Sequence, residues 1–186
     1  SKKGKHILTE AYNKGIRYFD TAPGYGIAEN IILEWIAEFQ PKDIRISTKW
    51  GYTYVANFEA SATVHEVKEH SLRKLNEQWE VSKKLLPHLN IYQIHSATLD
   101  SGVLTNEAVL NRLHELKKKY SINIGLSASG EYQNEIIEKA LSIEINNQPL
   151  FDSFQVTYNV FNQHLLNIIN LFNKLDKKLI VKEALA

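Results

Sequence analysis

Three short runs end in polar residues that can carry chemistry. In Tyr18-Phe19-Asp20-Thr21-Ala22-Pro23-Gly24-Tyr25-Gly26, a β-type run ends in Asp20 and a tight turn presents Tyr25. Pro23 and Gly24 redirect the chain, and Gly26 permits close backbone approach before a helical pattern begins near Ala28. Ile44-Arg45-Ile46-Ser47-Thr48-Lys49-Trp50-Gly51 puts Lys49 at the end of the next run, and Ile91-Tyr92-Gln93-Ile94-His95-Ser96 does the same with His95. Singly, each has an ordinary explanation: a carboxylate capping a turn, a solvated lysine, a satisfied core histidine. Together they place titratable groups at the same end of successive strands, where the loops of a barrel converge. Proton transfer, and a Schiff base on Lys49 as in an aldolase, are both open from these residues alone.

The elements that must hold these residues alternate in kind. Strands are expected at Ile16 to Ala22, Ile44 to Trp50, Asn90 to Ser96, Asn123 to Ser127, Ser153 to Asn159 and Leu179 to Ala184. Helices are expected between them at Ala28 to Glu38, Thr63 to Asn76, Thr105 to Tyr120, Glu131 to Ile143 and Gln163 to Leu175, where apolar residues return every three or four positions. This βα rhythm predicts a parallel sheet with helices outside it. One strand parity carries Ser47 and Lys49, Gln93 and His95, Asn123 and Ser127, and Gln155, Thr157 and Asn159. An open sheet buried on both faces would read as continuous apolar residues, so a (β/α)8 TIM barrel is favoured, with about six of its eight strands present.

Composition bounds the function classes. The chain has 186 residues, 44% of them hydrophobic and 23% charged, the balance of a globular protein with one core. Its net charge of +1 offers no bulk field for nucleic acid or an anionic membrane. Nothing approaches the roughly 18 apolar residues of a membrane span. The absence of cysteine removes disulfides and thiolate chemistry and is compatible with a cytoplasmic location. The chain has no Met, so an excerpt of a longer reading frame is expected. His65 and His70 are five residues apart and would not share a helix face, so no metal is expected. Lys117, Lys118 and Lys119 suit the C-terminal end of a helix.

The combination resembles the aldo-keto reductase family. It is carried by Gly15-Ile16-Arg17-Tyr18-Phe19-Asp20-Thr21-Ala22 with Tyr25-Gly26 and Glu29, by Ser47-Thr48-Lys49, and by Ser71-Leu72-Arg73-Lys74-Leu75 leading to Ile91-Tyr92-Gln93-Ile94-His95. The wording Phe19 to Gly26 is similar to members acting on sugars and small aldehydes. The resemblance implies that Tyr25 is a general acid protonating a carbonyl oxygen while a nicotinamide hydride attacks carbon. A free phenol has a pKa of about 10, so Lys49 would supply the cation that eases its ionisation, and Asp20 would orient and compensate Lys49. His95 would hydrogen-bond the substrate carbonyl, a contact typically worth ~3 kcal/mol. Ser127 and Gln155 would hold the nicotinamide carboxamide, with NADP or NAD as cofactor, and Trp50 stands next to Lys49 either as a pocket wall or as packing.

The sequence also departs from the family. Ala128 stands where members commonly have Asn, and Val181-Lys182-Glu183-Ala184-Leu185 occupies the strand that commonly supplies an aromatic residue to stack on the nicotinamide. Residues 1–186 are expected to form a single barrel domain lacking the first and last strands, and so to be a poor enzyme without them. The alternative reading is a catalytically inactive scaffold serving as a binding or regulatory protein.

Overall fold

The structure, a computed structural model, describes residues 1–59 and 61–185. The chain divides into two compact units, residues 1–90 and 91–186.

In the first unit, helix α1 (Lys2–Asn13) is capped by Ser1, whose hydroxyl accepts from Gly4 N. It packs on α2 (Ala28–Phe39) through Trp35, whose indole N–H donates to Thr9 Oγ1 at 3.0 Å and whose ring meets Tyr12 edge-on. Strand β1 (Tyr18–Asp20) pairs parallel with β2 (Arg45–Trp50), setting Asp20 opposite Ser47. Every residue of β2 after Arg45 is buried. Two short strands, β3 (Tyr52–Tyr54) and β4 (Glu66–Lys68), then form an antiparallel hairpin before helix α3 (Leu72–Ser82).

That hairpin corrects the helix expected over Thr63 to Asn76. The helix begins only at Leu72, where Ser71 Oγ accepts from Lys74 N. The β-branched Thr63, Val64 and Val67 suit extended backbone, and Glu69 N donates to Gly51 O at 2.8 Å, tying the end of β4 to the start of the hairpin. His65 and His70 therefore flank a strand instead of riding on a helix.

The second unit takes in β5 (Leu89–Ile94) from Ile91 onward. It continues through α4 (Glu107–Tyr120), β6 (Asn123–Ala128), α5 (Gln133–Leu141), a small hairpin of β7 (Glu144–Ile145) and β8 (Gln148–Pro149), β9 (Ser153–Thr157), α6 (Ile169–Lys174) and β10 (Lys178–Lys182). Strands β5, β6, β9 and β10 lie side by side and parallel. Their interior residues Ile124, Leu126, Phe154 and Val156 are fully buried, each side chain contributing about 1.5–3 kcal/mol. All six expected strands are present. The helix expected over Gln163 to Leu175 is broken into a 3-10 turn at His164–Asn167 and the short α6.

Asp152 knits this sheet together. Its carboxylate accepts from Lys117 Nζ at 2.8 Å and from Ile124 N at 3.0 Å, while its own N–H donates to Ile124 O and its C=O accepts from Lys178 N. Lys117 also reaches the carbonyls of Pro149 and Leu150, so one of the three helix-end lysines is a structural tie. Asp152→Ala is expected to cost about 1–3 kcal/mol, because it removes the counter-charge of the Lys117 ammonium and leaves the Ile124 N–H without its acceptor. Urea denaturation of the variant against the parent measures this.

Candidate active site

The first unit brings together three of the residues singled out by sequence. Strand alternation turns Ser47 and Lys49 to one side of β2, and the register sets Ser47 beside Asp20. Ser47 Oγ donates to Asp20 Oδ1 and the Lys49 ammonium pairs with Asp20 Oδ2. Lys49, 1% exposed, also donates to the Thr21 carbonyl at 3.1 Å and to the Tyr25 hydroxyl oxygen at 3.3 Å. The three protons of the ammonium thus meet a carboxylate, a carbonyl and a phenol. Tyr25 closes a 3-10 turn over Pro23–Tyr25 in which Tyr25 N donates to Ala22 O, and Gly26 leaves it at φ 63°, a conformation that favours glycine. Tyr25 is 46% exposed, so a buried ammonium supports an accessible phenol.

Two titratable neighbours were not assigned a role by sequence. Glu29, buried in the first turn of α2, accepts from Thr48 Oγ1 at 2.5 Å and from Ser82 Oγ at 2.8 Å. Burial raises its carboxyl above the usual range, against the pull of those two hydroxyls. Its position four residues after Tyr25 was visible in the motif, but Ser82 lies 53 residues away and no local pattern announces it. Tyr18, about a third exposed overall, has its phenol pushed up to about 12, chiefly by burial, with Ser47 opposing and the Asp20 charge adding.

Trp50 is fully enclosed, its ring edge-on to His70 at 5.6 Å, and its indole N–H has no hydrogen-bond acceptor among the described residues. Gly51, at φ 110°, gives His70 its room, since a Cβ there would fall on the imidazole ring.

In the second unit His95 is buried directly after β5, one residue beyond the Ile94–Leu126 pair and therefore level with Ser127. Ser127 Oγ accepts from Ser96 N at 2.8 Å and Ser127 O accepts from Ala97 N, pinning the turn that follows His95. Ser127 lies opposite Gln155 in the next strand pair, and Gln155 opposite Ile180 in the one after. Beyond them, Thr157 Oγ1 donates to Glu183 Oε2 at 2.6 Å and Asn159 Nδ2 to Glu183 O at 2.9 Å. Glu183, just past the end of β10, thus ties the ends of β9 and β10 together. Among the described residues no helix is long and apolar enough to cross a membrane, and no three His, Asp or Glu side chains gather as a metal site requires.

The fold is α/β, and the Asp20–Lys49–Tyr25 group gathers titratable side chains at its strand ends. The sequence pattern of the aldo/keto reductase family matches residues 2–186. Structures of PA4992 and of an aldo-keto reductase, both from Pseudomonas aeruginosa and both assigned to that class, align over all of this chain at 26% and 25% identity, each at a TM-score of 0.77. The chain spans 68% and 67% of those two. The holo form of aldo-keto reductase AKR11C1 from Bacillus halodurans shares the fold at TM-score 0.72 and 21% identity; 95% of this chain is covered, and 55% of that one. Glycerol dehydrogenase AKR11B4 from Gluconobacter oxydans does so at 0.71 and 20%, with 95% and 52% covered. Among proteins of curated function none matches in sequence. The chain belongs to the aldo/keto reductase family, a family of oxidoreductases, and its fold is an incomplete (β/α)8 barrel.

Glu29 supplies a test of the local electrostatics. A carboxyl raised in the folded state binds its proton more tightly there than in the unfolded chain, so stability falls as pH rises from the ordinary value of 4.5 through the folded one. Denaturation from pH 4.5 to 8 is expected to show the parent losing stability relative to Glu29→Gln as pH rises. A pH-independent difference contradicts this reading.

Proposed function

We propose that the full-length protein containing this chain reduces an aldehyde or ketone, or oxidises a sugar in the reverse direction, with NADP or NAD. The observation that carries this is the Tyr25 hydroxyl 3.3 Å from an ammonium that is buried against Asp20. In carbonyl reduction a proton must reach oxygen as hydride reaches carbon, and Tyr25 is the donor we assign. When its hydroxyl gives up that proton, negative charge develops beside Lys49, where a dry cation acts far more strongly than in water. Asp20 keeps that cation oriented and compensated, and Ser47 keeps Asp20 in place. His95 is assigned to the substrate carbonyl, to which an imidazole N–H donates as charge builds.

A bound nicotinamide supplies the hydride. The residues proposed to hold it have hydrogen-bonding capacity to spare. Ser127 Oγ accepts from Ser96 but donates its own proton to no described acceptor. The nearly buried Gln155 carboxamide makes no hydrogen bond among the described residues. A hydroxyl and an amide so placed on adjacent strands suit the carboxamide of a nicotinamide. The family match over residues 2–186 supports reading the chain as part of a single barrel domain. Its small net charge offers no bulk field for nucleic acid or an anionic membrane, which supports a small-molecule substrate as its partner.

Tyr25→Phe and Lys49→Met in the full-length protein are each expected to lower kcat for small aldehydes by about 10²–10⁴-fold while leaving cofactor binding intact. Steady-state rates alongside cofactor fluorescence titration measure both. Undiminished turnover in Tyr25→Phe contradicts the assignment of the proton donor.

A further inference from the structure

The hairpin of β3 and β4 follows immediately after Lys49, Trp50 and Gly51, and it touches the Tyr25 turn on both sides. A Cβ built on the buried Gly24 would stand 3.2 Å from Tyr52 Cβ and 3.3 Å from Glu66 Oε1, so the hairpin strands press directly on that glycine. A Cβ built on Gly26 would stand 2.9 Å from Phe58 Cζ, closer than real side chains tolerate, so the Phe58 ring lies on bare glycine backbone. The residue between these two seats is Tyr25.

Phe58 is held there at some cost. It is 68% exposed, which forgoes burial of a large apolar ring, and its backbone is in the left-handed region at φ 63°, directly after Asn57 at φ 53°. Bulky residues avoid that region unless their surroundings impose it. Here Phe58 N donates to the Tyr54 hydroxyl oxygen at 2.9 Å, and the two rings stand 5.2 Å apart at 49°. Tyr54 also lies 3.7 Å from the Cβ position of Gly26. Neither aromatic residue is needed to fill the core.

We infer that this hairpin, through Phe58 seated on Gly26 and fixed by Tyr54, is the positioning device that keeps the Tyr25 phenol over Lys49. The inference rests on Tyr25 being the proton donor only for its consequence in rate. The contacts on Gly24 and Gly26 hold the turn whichever residue donates the proton. Phe58 and Tyr54 are positioning residues: they act on Tyr25 through their contact with Gly26.

The test uses full-length protein carrying 13Cζ-labelled tyrosine, with the Tyr25 resonance assigned by its loss in Tyr25→Phe. Phe58→Ala is expected to shift that resonance, leave those of Tyr12 and Tyr158 in place, and lower kcat by about ten- to hundred-fold with KM little changed. Tyr54→Phe, which keeps the ring and removes only the acceptor for Phe58 N, is expected to act in the same direction with smaller effect, and it supplies the same readout should Phe58→Ala unfold. Val64→Ala, which removes an exposed side chain from the same loop, is expected to change neither quantity. A Tyr25 resonance unmoved in both aromatic variants overturns the proposal. A moved resonance with an unchanged rate upholds the positioning and contradicts Tyr25 as proton donor, so the two failures are distinguishable.

Discussion

Everything at the candidate site depends on the burial of one ammonium. Taking Lys49 out of water costs several kcal/mol unless its charge is paired and its protons are all accepted. Asp20 supplies the charge, and the Thr21 carbonyl and Tyr25 hydroxyl complete the set. This requirement propagates outward. Asp20 must stand opposite Ser47, which fixes the register of β1 on β2. Thr21 must direct its carbonyl inward, and its N–H is tied to Ser47 O at 2.9 Å. The turn carrying Tyr25 must return over the end of β2, and Gly24 and Gly26 leave bare backbone on both sides of that residue.

The surrounding elements serve this arrangement by different means. Glu29 joins the start of α2 to Thr48, the neighbour of Lys49, and to Ser82 at the end of α3, so a buried carboxylate holds three segments at once. Gln78 donates to Tyr52 O and accepts from Gly51 N, anchoring the hairpin to α3 at its root. In the second unit the strand-end residues His95, Ser127 and Gln155 lie on successive neighbouring strands, with the Ser96 N–H resting on Ser127.

Much of this was legible in the sequence, and the physical reason differs from element to element. Four of the six strands, β2, β5, β6 and β9, are runs of mostly buried residues with one polar parity, a pattern of period two that survives without tertiary information. Asp20, Lys49 and Tyr25 stood at strand ends and in a turn whose residue types dictate its geometry. The β3–β4 hairpin was not legible, because Val64, Val67 and the residues between also satisfy a helical spacing over a short window, and what decides against the helix is the Glu69–Gly51 pairing. Nor was the buried environment of Glu29 legible, since Ser82 reaches it only through the fold. The structural use of Lys117 was hidden for the same reason: its acceptors lie 32 to 35 residues away.

We propose that the Asp20–Lys49–Tyr25 group serves hydride transfer to a carbonyl. The most direct test is to incubate the full-length protein with a small aldehyde and reduced nicotinamide cofactor deuterated at the transferring carbon, and to weigh the alcohol formed. Each alcohol molecule is expected to carry one deuterium from the cofactor. Alcohol formed without deuterium, or an aldehyde left unconsumed by protein that demonstrably binds the cofactor, contradicts it.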